Sequence, residues 1–474
     1  MTESVQQKSD LLGNLPREWP HDLLPFIRER LDASGRKIVV LDDDPTGTQT
    51  VHNIPVLTTW PVEVLEKELT RPGPGFFILT NSRSLDRDAA CALGTELGTR
   101  LKEAGQRAGV DPLVISRSDS TLRGYFPHEV DAVAQAMDMP GLPYLIFPFF
   151  PEGGRYTLDN IHYVAEGEDL VPAGQTPYAR DAAFSYTASD LTQWVAEKTG
   201  GGIPADTVTA ISLDHIRNGG PEQVRDILIR TGKGSACVVN AVSYRDVEVV
   251  AAALFMAMEE GSHFLFRTAA AFVRVMAGIT PRPELLSREE LAADTPCGGL
   301  FLVGSYVPKT TAQVKALTAL PGMSGVEVRV ERLLDPDHRY DEVQRASRAA
   351  NTNLAQGHDV VVFTSRSLVT GTDARASLDI GRTVSQSLIR IVRSLDRQPR
   401  YLVAKGGITS SDVATKGLDV KRALIMGQVL PGVPVWQLGP ESRYPGMSYV
   451  VFPGNVGADN ALVQIREMLG QGAT

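Results

Sequence analysis

The sequence has few cysteines and no excess of positive charge, and both absences narrow the classes of protein to which it can belong. Its three cysteines, Cys91, Cys237 and Cys297, are far apart and form no CxxC pair. This spacing supports neither a zinc ribbon nor a disulfide framework, so we expect a reducing compartment. The formal net charge is −9. That value argues against a dedicated nucleic-acid-binding protein, because such proteins usually present a basic face.

Long apolar runs and a secretory signal pattern are also absent. The longest apolar run, Val249–Met258, is shorter than the roughly 20 residues that a helix needs to cross a bilayer. The N-terminal segment is polar and lacks a basic stretch followed by an apolar one, as a signal peptide would have. We therefore expect a cytoplasmic protein that contacts neither membrane nor nucleic acid.

Several catalytic signatures are missing as well. The sequence contains no HExxH, no GxSxG, no GxxxxGK[ST] and no GxGxxG after a strand-like run. A metalloprotease, a simple serine hydrolase, a P-loop NTPase and a thiol redox enzyme therefore lack support. The chemistry must be sought in less familiar motifs.

Short apolar runs alternate with helix-length amphipathic segments, which is typical of α/β proteins with buried parallel strands. The predicted strands are Ile38–Leu41, Phe76–Leu79, Leu113–Ser116, Tyr144–Phe147, Val208–Leu213, Ala236–Asn240, Leu300–Val303, Val326–Val330, Val360–Thr364, Leu402–Ala404, Ala423–Met426 and Tyr449–Phe452. The proline-rich segment Gly278–Gly299 interrupts the pattern and marks a domain boundary. We expect an N-terminal extension (1–36) and two α/β domains (37–280 and 296–474), each with a largely parallel sheet flanked by helices.

In the first domain, polar segments follow each of the first four predicted strands. They are DDDPTGTQTVH (42–52), TNSRSLDRD (80–88), SRSDSTLRGYFPHE (116–129) and PFFPEGGRYTLDNIHYV (148–164). Each could be an ordinary turn or helix cap. Ligands bind at the carboxyl ends of the strands in open α/β sheets, however, so four such segments in succession favour a pocket.

The side chains in these four segments suit a small anionic ligand rich in hydroxyl groups. Arg83, Arg117, Arg123 and Arg155 could clamp a carboxylate, and the carboxylates and hydroxyls could hold a polyhydroxylated chain. His162 is a further candidate for substrate contact, although an isolated histidine is more often structural.

The second domain has glycine-rich segments after its strands instead: GSYVPKTTAQ (304–313), KGGITSSD (405–412) and PGNVGADN (453–460). Glycine lets the backbone approach a ligand closely, and a following helix presents free N–H groups. Together these features favour a phosphate site. Lys405 adds a positive charge directly before one glycine pair.

Five motifs resemble the four-carbon acid sugar kinase family. They are DDPTG (43–47), DSTLRG (119–124), GS-x₄-T-x₂-Q (304–313), GG-x-T (406–409) and GNVG (454–457), in the same order as in that family. The resemblance implies a sugar-binding N-terminal domain, a nucleotide-binding C-terminal domain, and phosphorylation of a terminal hydroxyl by ATP with Mg²⁺. Threonate, erythronate and 3-oxo-tetronate are substrates of this family.

The resemblance also implies which residues form the two sites, and it places the active site in the cleft between the domains. The implied sugar-site residues are Asp43, Asp44, Asp119, Ser120 and Arg123. The implied nucleotide-site residues are Ser305, Gly406, Gly407, Ile408, Thr409, Gly454, Asn455 and Gly457, to which we add Lys405. Asp44 and Asp119 are the two candidates for the general base. We expect Arg123, with Arg83, to clamp the substrate carboxylate.

Two other classes of function remain open at the level of the sequence. One is a non-catalytic sensor of sugar acids gated by a nucleotide. The other is a lyase or isomerase whose glycine loops hold the phosphate of its own substrate. A homodimer is the base-rate expectation for the assembly.

Overall fold

The computed structural model describes residues 4–13, 15–291, 295–304, 307–366, 374–454 and 456–470, with the backbone alone for residues 374–378. The chain divides into two compact units. Unit 1 consists of Met1–Thr50 and Thr59–Pro281, and unit 2 of Val51–Thr58 and Arg282–Thr474. These limits differ from the predicted domains in two ways: unit 1 includes the N-terminal extension, and unit 2 includes a short segment from the N-terminal half. No helix among the described residues is long and apolar enough to cross a membrane.

Unit 1 is built on a seven-stranded sheet in the order β10-β11-β6-β12-β5-β2-β4, and every neighbouring pair is parallel. Its strands are β2 (Lys37–Asp42), β4 (Gly75–Leu79), β5 (Pro112–Arg117), β6 (Tyr144–Phe147), β10 (Thr209–Ile211), β11 (Ala236–Val239) and β12 (Leu265–Thr268). A smaller antiparallel sheet comprises β1 (Gln6–Gln7), β7 (Arg155–Leu158), β8 (Ile161–Glu166) and β9 (Asp169–Pro172).

The helices of unit 1 are α1 (Lys8–Gly13), α2 (Leu24–Ser34), α3 (Val62–Thr70), α4 (Arg87–Ala108), α5 (His128–Ala136), α6 (Leu191–Lys198), α7 (Leu213–Arg217), α8 (Gly220–Arg230), α9 (Tyr244–Glu259) and α10 (Ala270–Met276). Helix α4 shows how the sequence sets their limits. The Asp86 carboxylate accepts the N–H of Ala89 at its start, and Gly109 ends it in the left-handed region (φ 65°).

Unit 2 contains an eight-stranded mixed sheet in the order β3-β17-β18-β19-β16-β13-β15-β14. Its strands are β3 (Ile54–Leu57), β13 (Leu300–Val303), β14 (Met323–Val328), β15 (Asp359–Thr364), β16 (Tyr401–Lys405), β17 (Arg422–Leu430), β18 (Val433–Leu438) and β19 (Ser448–Phe452). The five strands from β19 to β14 are parallel, and the other three are antiparallel to their neighbours. The helices are α11 (Arg288–Leu291), α12 (Pro308–Thr318), α13 (Val330–Leu334), α14 (Pro336–Ala355), α15 (Ala374–Arg393), α16 (Gly407–Asp412) and α17 (Ala461–Leu469).

The predicted fold class of two α/β domains with largely parallel sheets is confirmed. Strands β6 and β13 have the predicted limits, and the other predicted strands are found within a few residues of theirs. Two predicted strands run into helices, because Leu213 begins α7 and Val330 begins α13. Most of the parallel strands are buried along nearly their whole length, so their apolar runs reveal them in the sequence, whereas the edge strands β10 and β14 are partly exposed.

Candidate functional site

The three aspartates at the end of β2 are shared between two arginines. The Asp42 carboxylate is 1% exposed and lies 3.1 Å from NH1 of Arg117. Asp43 lies between Arg117 (3.4 Å) and Arg83 (3.1 Å), and Asp44 lies 2.8 Å from Arg83. Arg117 ends β5, and Arg83 lies in the turn after β4. The carboxyl ends of three adjacent strands thus assemble one charged cluster, as the sequence predicted.

Arg83 is the centre of this cluster because it also reaches the loop after β5. Its NH1 lies 3.3 Å from the Asp119 carboxylate, so one guanidinium contacts three carboxylates. Burial alone would raise the pKa of Asp119, but Arg83 and Arg123 hold that pKa well below its usual range. The same balance, with Arg83 and the Thr46 hydrogen bonds prevailing, lowers the pKa of Asp44.

The other two aspartates titrate in the opposite direction. Burial raises the pKa of Asp42 to about 7, although Arg117 opposes the shift. Burial also raises the pKa of Asp43 in spite of both arginines. The four carboxylates therefore form two pairs: Asp44 and Asp119 are stabilised as anions, whereas Asp42 and Asp43 retain protons more readily.

The loop Asp119–Gly124 carries the second half of the cluster. Asp119 accepts hydrogen bonds from Arg123 Nε (2.9 Å) and from the Thr121 hydroxyl, and Arg123 lies 3.5 Å from Asp181. Leu122 adopts φ 69° and is fully buried in the core of unit 1, which anchors the loop. Arg123, expected to clamp a substrate carboxylate, is therefore engaged by carboxylates of the protein itself.

Three carbonyl groups of this loop accept hydrogen bonds from buried side chains of other elements. His162 Nε2 lies 2.8 Å from the carbonyl of Ser120, the Tyr186 hydroxyl donates to that of Thr121 (2.8 Å), and Arg267 NH2 donates to that of Arg123 (3.0 Å). With three carbonyls fixed by donors on β8, on β12 and before α6, the backbone of the loop is held in one arrangement.

His162 supports the loop from within the protein instead of facing solvent. A carbonyl only accepts, so Nε2 carries the proton and donates to Ser120, while Nδ1 accepts from the Thr157 hydroxyl at 2.9 Å. The side chain is fully buried, and burial lowers its pKa to about 4. Both ring nitrogens are thus occupied, which leaves none for the predicted substrate contact. Ser120 itself is 7% exposed on the same loop.

In unit 2 the three glycine-rich segments meet at the carboxyl ends of β13, β16 and β19, which are neighbours in the sheet. A Cβ on Gly304 would lie 2.4 Å from the Thr409 hydroxyl, so the first and second segments touch. The Gly406 N–H donates to the carbonyl of Phe452 (2.8 Å), and Lys405 Nζ donates to that of Pro453 (3.0 Å). These contacts join the second segment to the third.

Helix α12 holds the third segment from its other side. The Gln313 side-chain amide donates to the carbonyls of Val456 (3.2 Å) and Ala458 (2.9 Å), and the Thr310 hydroxyl donates to that of Gly454 (3.2 Å). Thr310 and Gln313 belong to the GS-x₄-T-x₂-Q motif. The spacing of that motif therefore places two donors on one side of α12, where they hold the third glycine-rich segment.

The predicted nucleotide-site residues occupy this cluster. Gly406 (φ 114°) and Gly457 (φ 83°) have backbone conformations that favour glycine, and Ile408 is 62% exposed beside them. Lys405 is fully buried with its Nζ 3.9 Å from the Phe452 ring centre. Burial, assisted by Lys309, lowers its pKa to about 7. Ser305 and Asn455 lie outside the described residues.

The chemistry of this cluster fits a phosphate group. Lys405 is a buried cation with one neutral carbonyl acceptor, and glycine backbone surrounds it. Two glycines have positive φ, so added side chains would be strained and the backbone stays open to a ligand. Among the described residues, no group of three or more His, Cys, Asp or Glu side chains is placed to hold a metal ion.

The sequence analysis did not identify Tyr186 and Arg267 as site residues. Arg267 is the penultimate residue of β12, which lies between β5 and β6 in the sheet. The run FLFRT (264–268) carries the signal that could have found it, since a short apolar run ending in polar residues also marks the other site-bearing strands. Tyr186 lies in an irregular segment and has no such signal.

Two family models match the two halves of the chain. A family model described as a sugar-binding N-terminal domain matches residues 38–276, and one described as a nucleotide-binding C-terminal domain matches residues 300–462. The D-erythronate kinase of Heliobacterium modesticaldum is 25% identical over 270 residues. That match spans 56% of this chain and 56% of the relative's length.

Two solved structures share the fold. A protein of Haemophilus influenzae from a family described as DUF1537 superposes with a TM-score of 0.62 at 16% identity, covering 91% of this chain and 99% of its own. A protein of Salmonella typhimurium LT2, provisionally described as a tRNA synthase, gives a TM-score of 0.67 at 16% identity with the same coverage of both chains. At this identity the likeness concerns the fold alone.

Proposed function

Because the chain belongs to the four-carbon acid sugar kinase family, we propose that it is an ATP-dependent kinase that phosphorylates the terminal hydroxyl of a four-carbon sugar acid. One observation carries this proposal. Carboxylates and arginines gather at one sheet edge of unit 1, and a glycine-rich cluster with a buried lysine gathers at one sheet edge of unit 2. Such a chain has a polar site for a hydroxylated acid and a separate site for phosphates.

In the sugar site, the exposure of the carboxylates ranks them as candidates for the general base. The Asp44 side chain is 24% exposed, that of Asp119 12% and that of Asp43 6%. A base must reach the hydroxyl from which it removes the proton. We therefore assign the base to Asp44, whose position Arg83 and Thr46 fix, and we assign Asp119 to holding Arg83 and Arg123 in place.

In the phosphate site, Lys405 and the backbone of Gly406 and Gly407 would hold a nucleotide. Bound ATP with Mg²⁺ would supply the transferable phosphoryl group, and the protein would contribute mainly positioning and charge neutralisation. Lys405 is suited to this because it pairs with no carboxylate in the part of the chain that the structure describes, and a bound phosphate would supply the counterion of the buried ammonium.

The test is a screen of ADP release with threonate, erythronate, 3-oxo-tetronate and their stereoisomers, together with calorimetry of ATP binding. We expect ATP to bind and at least one four-carbon acid to be phosphorylated. ATP binding without turnover of any sugar acid would instead favour a nucleotide-gated sensor. Absence of ATP binding would favour a lyase or isomerase acting on a phosphorylated acid.

A further inference from the structure

Two arginines beside the loop Asp119–Gly124 have no carboxylate partner among the described residues. Arg83, Arg117 and Arg123 each contact at least one aspartate. Arg155 and Arg267 contact none, and each has buried donor nitrogens without an acceptor: Nε of Arg155, and Nε and NH1 of Arg267. An unpaired buried Nε is also found in Arg117 and Arg274, so what distinguishes Arg155 and Arg267 is that neither forms an ion pair with a carboxylate among the described residues.

Arg155 begins β7 and shares an aromatic neighbour with Arg123. Its NH1 donates to the carbonyl of Gly153, and its guanidinium carbon lies 5.7 Å from the Tyr178 ring centre. The Arg123 guanidinium carbon lies 5.2 Å from the centre of the same ring. Both guanidinium groups thus lie against the Tyr178 ring, and the Arg155 side chain is partly exposed, so a ligand has access to it.

Arg267 approaches the same loop from inside the protein. It is 1% exposed, donates from NH2 to the carbonyl of Arg123 at 3.0 Å, and lies 5.2 Å from the Trp194 ring centre. Burial lowers its pKa to about 10, so it remains a cation at neutral pH. The attraction of Asp119 and Asp43 offsets only part of the cost of burying this charge, and an anion bound nearby would stabilise it further.

The fields of the two arginines overlap at His162. Burial and both cations contribute to the lowered pKa of that ring. Arg155 and Arg267 therefore both lie near His162. The neighbouring arginines are already neutralised by aspartates. Arg155 and Arg267 are therefore the arginines beside the sugar-site loop that form no ion pair among the described residues, and an anionic group on the ligand would complement them.

We propose that Arg155 binds the carboxylate of the substrate directly and that the buried charge of Arg267 increases the affinity of this subsite for the carboxylate. The proposal rests on the proposed function, since it assigns one end of a sugar acid. It replaces the earlier expectation that Arg83 and Arg123 form the clamp, because those two side chains hold Asp43, Asp44 and Asp119. The subsite would make the enzyme select acids over neutral polyols of the same length.

The decisive variant is Arg155→Met, which keeps the aliphatic stem and removes the charge. We expect it to raise KM for the active sugar acid by roughly 10–100-fold, the range for a lost charge-assisted hydrogen bond. We expect kcat and KM for ATP to change by less than about 3-fold, because neither the base nor the phosphate site is touched. Arg155→Lys should raise KM less, since lysine keeps the charge but not the planar fork. Arg267→Met, which removes the buried charge, should also raise KM for the acid.

Arg180→Met is the matched control, because Arg180 is an exposed arginine next to Tyr178 on the short helix Pro177–Arg180 and outside the proposed subsite. It should leave KM within about 2-fold. An unchanged KM in Arg155→Met and Arg155→Lys would overturn the subsite alone if the wild-type protein phosphorylates a sugar acid. A rise in KM confined to Arg123→Met would overturn it equally. A wild-type protein that phosphorylates no acid would overturn the proposed function and the subsite together.

Discussion

Single residues with the same chemistry perform different tasks at this site. Asp42, Asp43 and Asp44 are adjacent in sequence, yet the first is paired with Arg117, the second with two arginines and the third with Arg83 alone. Burial raises the pKa of Asp42 and of Asp43 in spite of their arginines, whereas Arg83 and the Thr46 hydrogen bonds outweigh burial at Asp44 and lower its pKa. The repulsion expected of three consecutive carboxylates is offset by two guanidinium groups that come from neighbouring strands. The most exposed of the three is the one positioned to meet a substrate.

Asp44→Asn and Asp119→Asn should separate the base from the positioning carboxylate. We expect Asp44→Asn to lower kcat by roughly 10²–10⁴-fold with a small fall in melting temperature, because asparagine can still accept the Thr46 N–H and Arg83 keeps Asp43 and Asp119. Asp119→Asn removes the carboxylate that Arg83 and Arg123 share and leaves Arg123 with the more distant Asp181, so we expect a larger fall in melting temperature together with a higher KM for the acid. Steady-state kinetics and thermal unfolding measure both. Near-full kcat in Asp44→Asn would transfer the role of base to another group.

Lys405 gives ATP binding a predictable dependence on pH. Its pKa is about 7 in the free protein because burial disfavours the charge, and a neighbouring phosphate would raise it. At pH 8, where Lys405 is largely neutral, binding should therefore take up a fraction of a proton, and affinity should fall as pH rises above 7. Calorimetry in buffers of different ionisation enthalpy measures the uptake. Lys405→Met should abolish it, and identical uptake in that variant would remove Lys405 from the phosphate site.

At the scale of elements, the loop Asp119–Gly124 owes its shape to partners that are distant in sequence. His162, Tyr186 and Arg267 each hold one of its carbonyls, and Leu122 anchors it in the core. The sequence revealed the loop itself, because DSTLRG follows a clear strand. It did not reveal the partners. Which side chain donates to a given backbone carbonyl depends on the folded structure, and no local sequence pattern shows it. For the same reason His162 looked like a substrate contact until both of its nitrogens were placed.

Tyr186→Phe tests the support of this loop with the loss of one hydroxyl group. The carbonyl of Thr121 would be left without its donor, at a cost of about 1–3 kcal/mol in the free energy of unfolding. We expect a lower kcat/KM for the sugar acid and an unchanged KM for ATP, since the loop belongs to the sugar site. Tyr144→Phe is the control, because Tyr144 lies in the same core but donates to Asp131 on α5. Equal effects of both variants on the acid would show that Tyr186 only stabilises the protein.

At the scale of the whole molecule, the change in composition marks one of the places where the chain divides, but not all of them. The proline-rich segment around residue 280 predicted a boundary, and unit 2 does resume at Arg282. However, Val51–Thr58 from the N-terminal half also belongs to unit 2, where β3 pairs with β17. The sequence could show that IPVL is suited to a strand, but not which strand it joins, because strand pairing over more than 360 residues leaves no local trace.

A fragment of residues 282–474 should therefore have a lower melting temperature than the same fragment with β3 attached. Without β3, the backbone edge of β17 is exposed, and unpaired edges promote aggregation. Ile54, Val56 and Leu57 are almost fully buried, so their loss removes about 1.5–3 kcal/mol each of burial free energy. Fusing residues 51–58 to the fragment through a flexible linker should restore a monodisperse protein with a higher melting temperature, whereas a scrambled segment should not. Light scattering and thermal unfolding compare the three proteins, and equal behaviour of the bare and the fused fragment would show that β3 contributes nothing to the stability of unit 2.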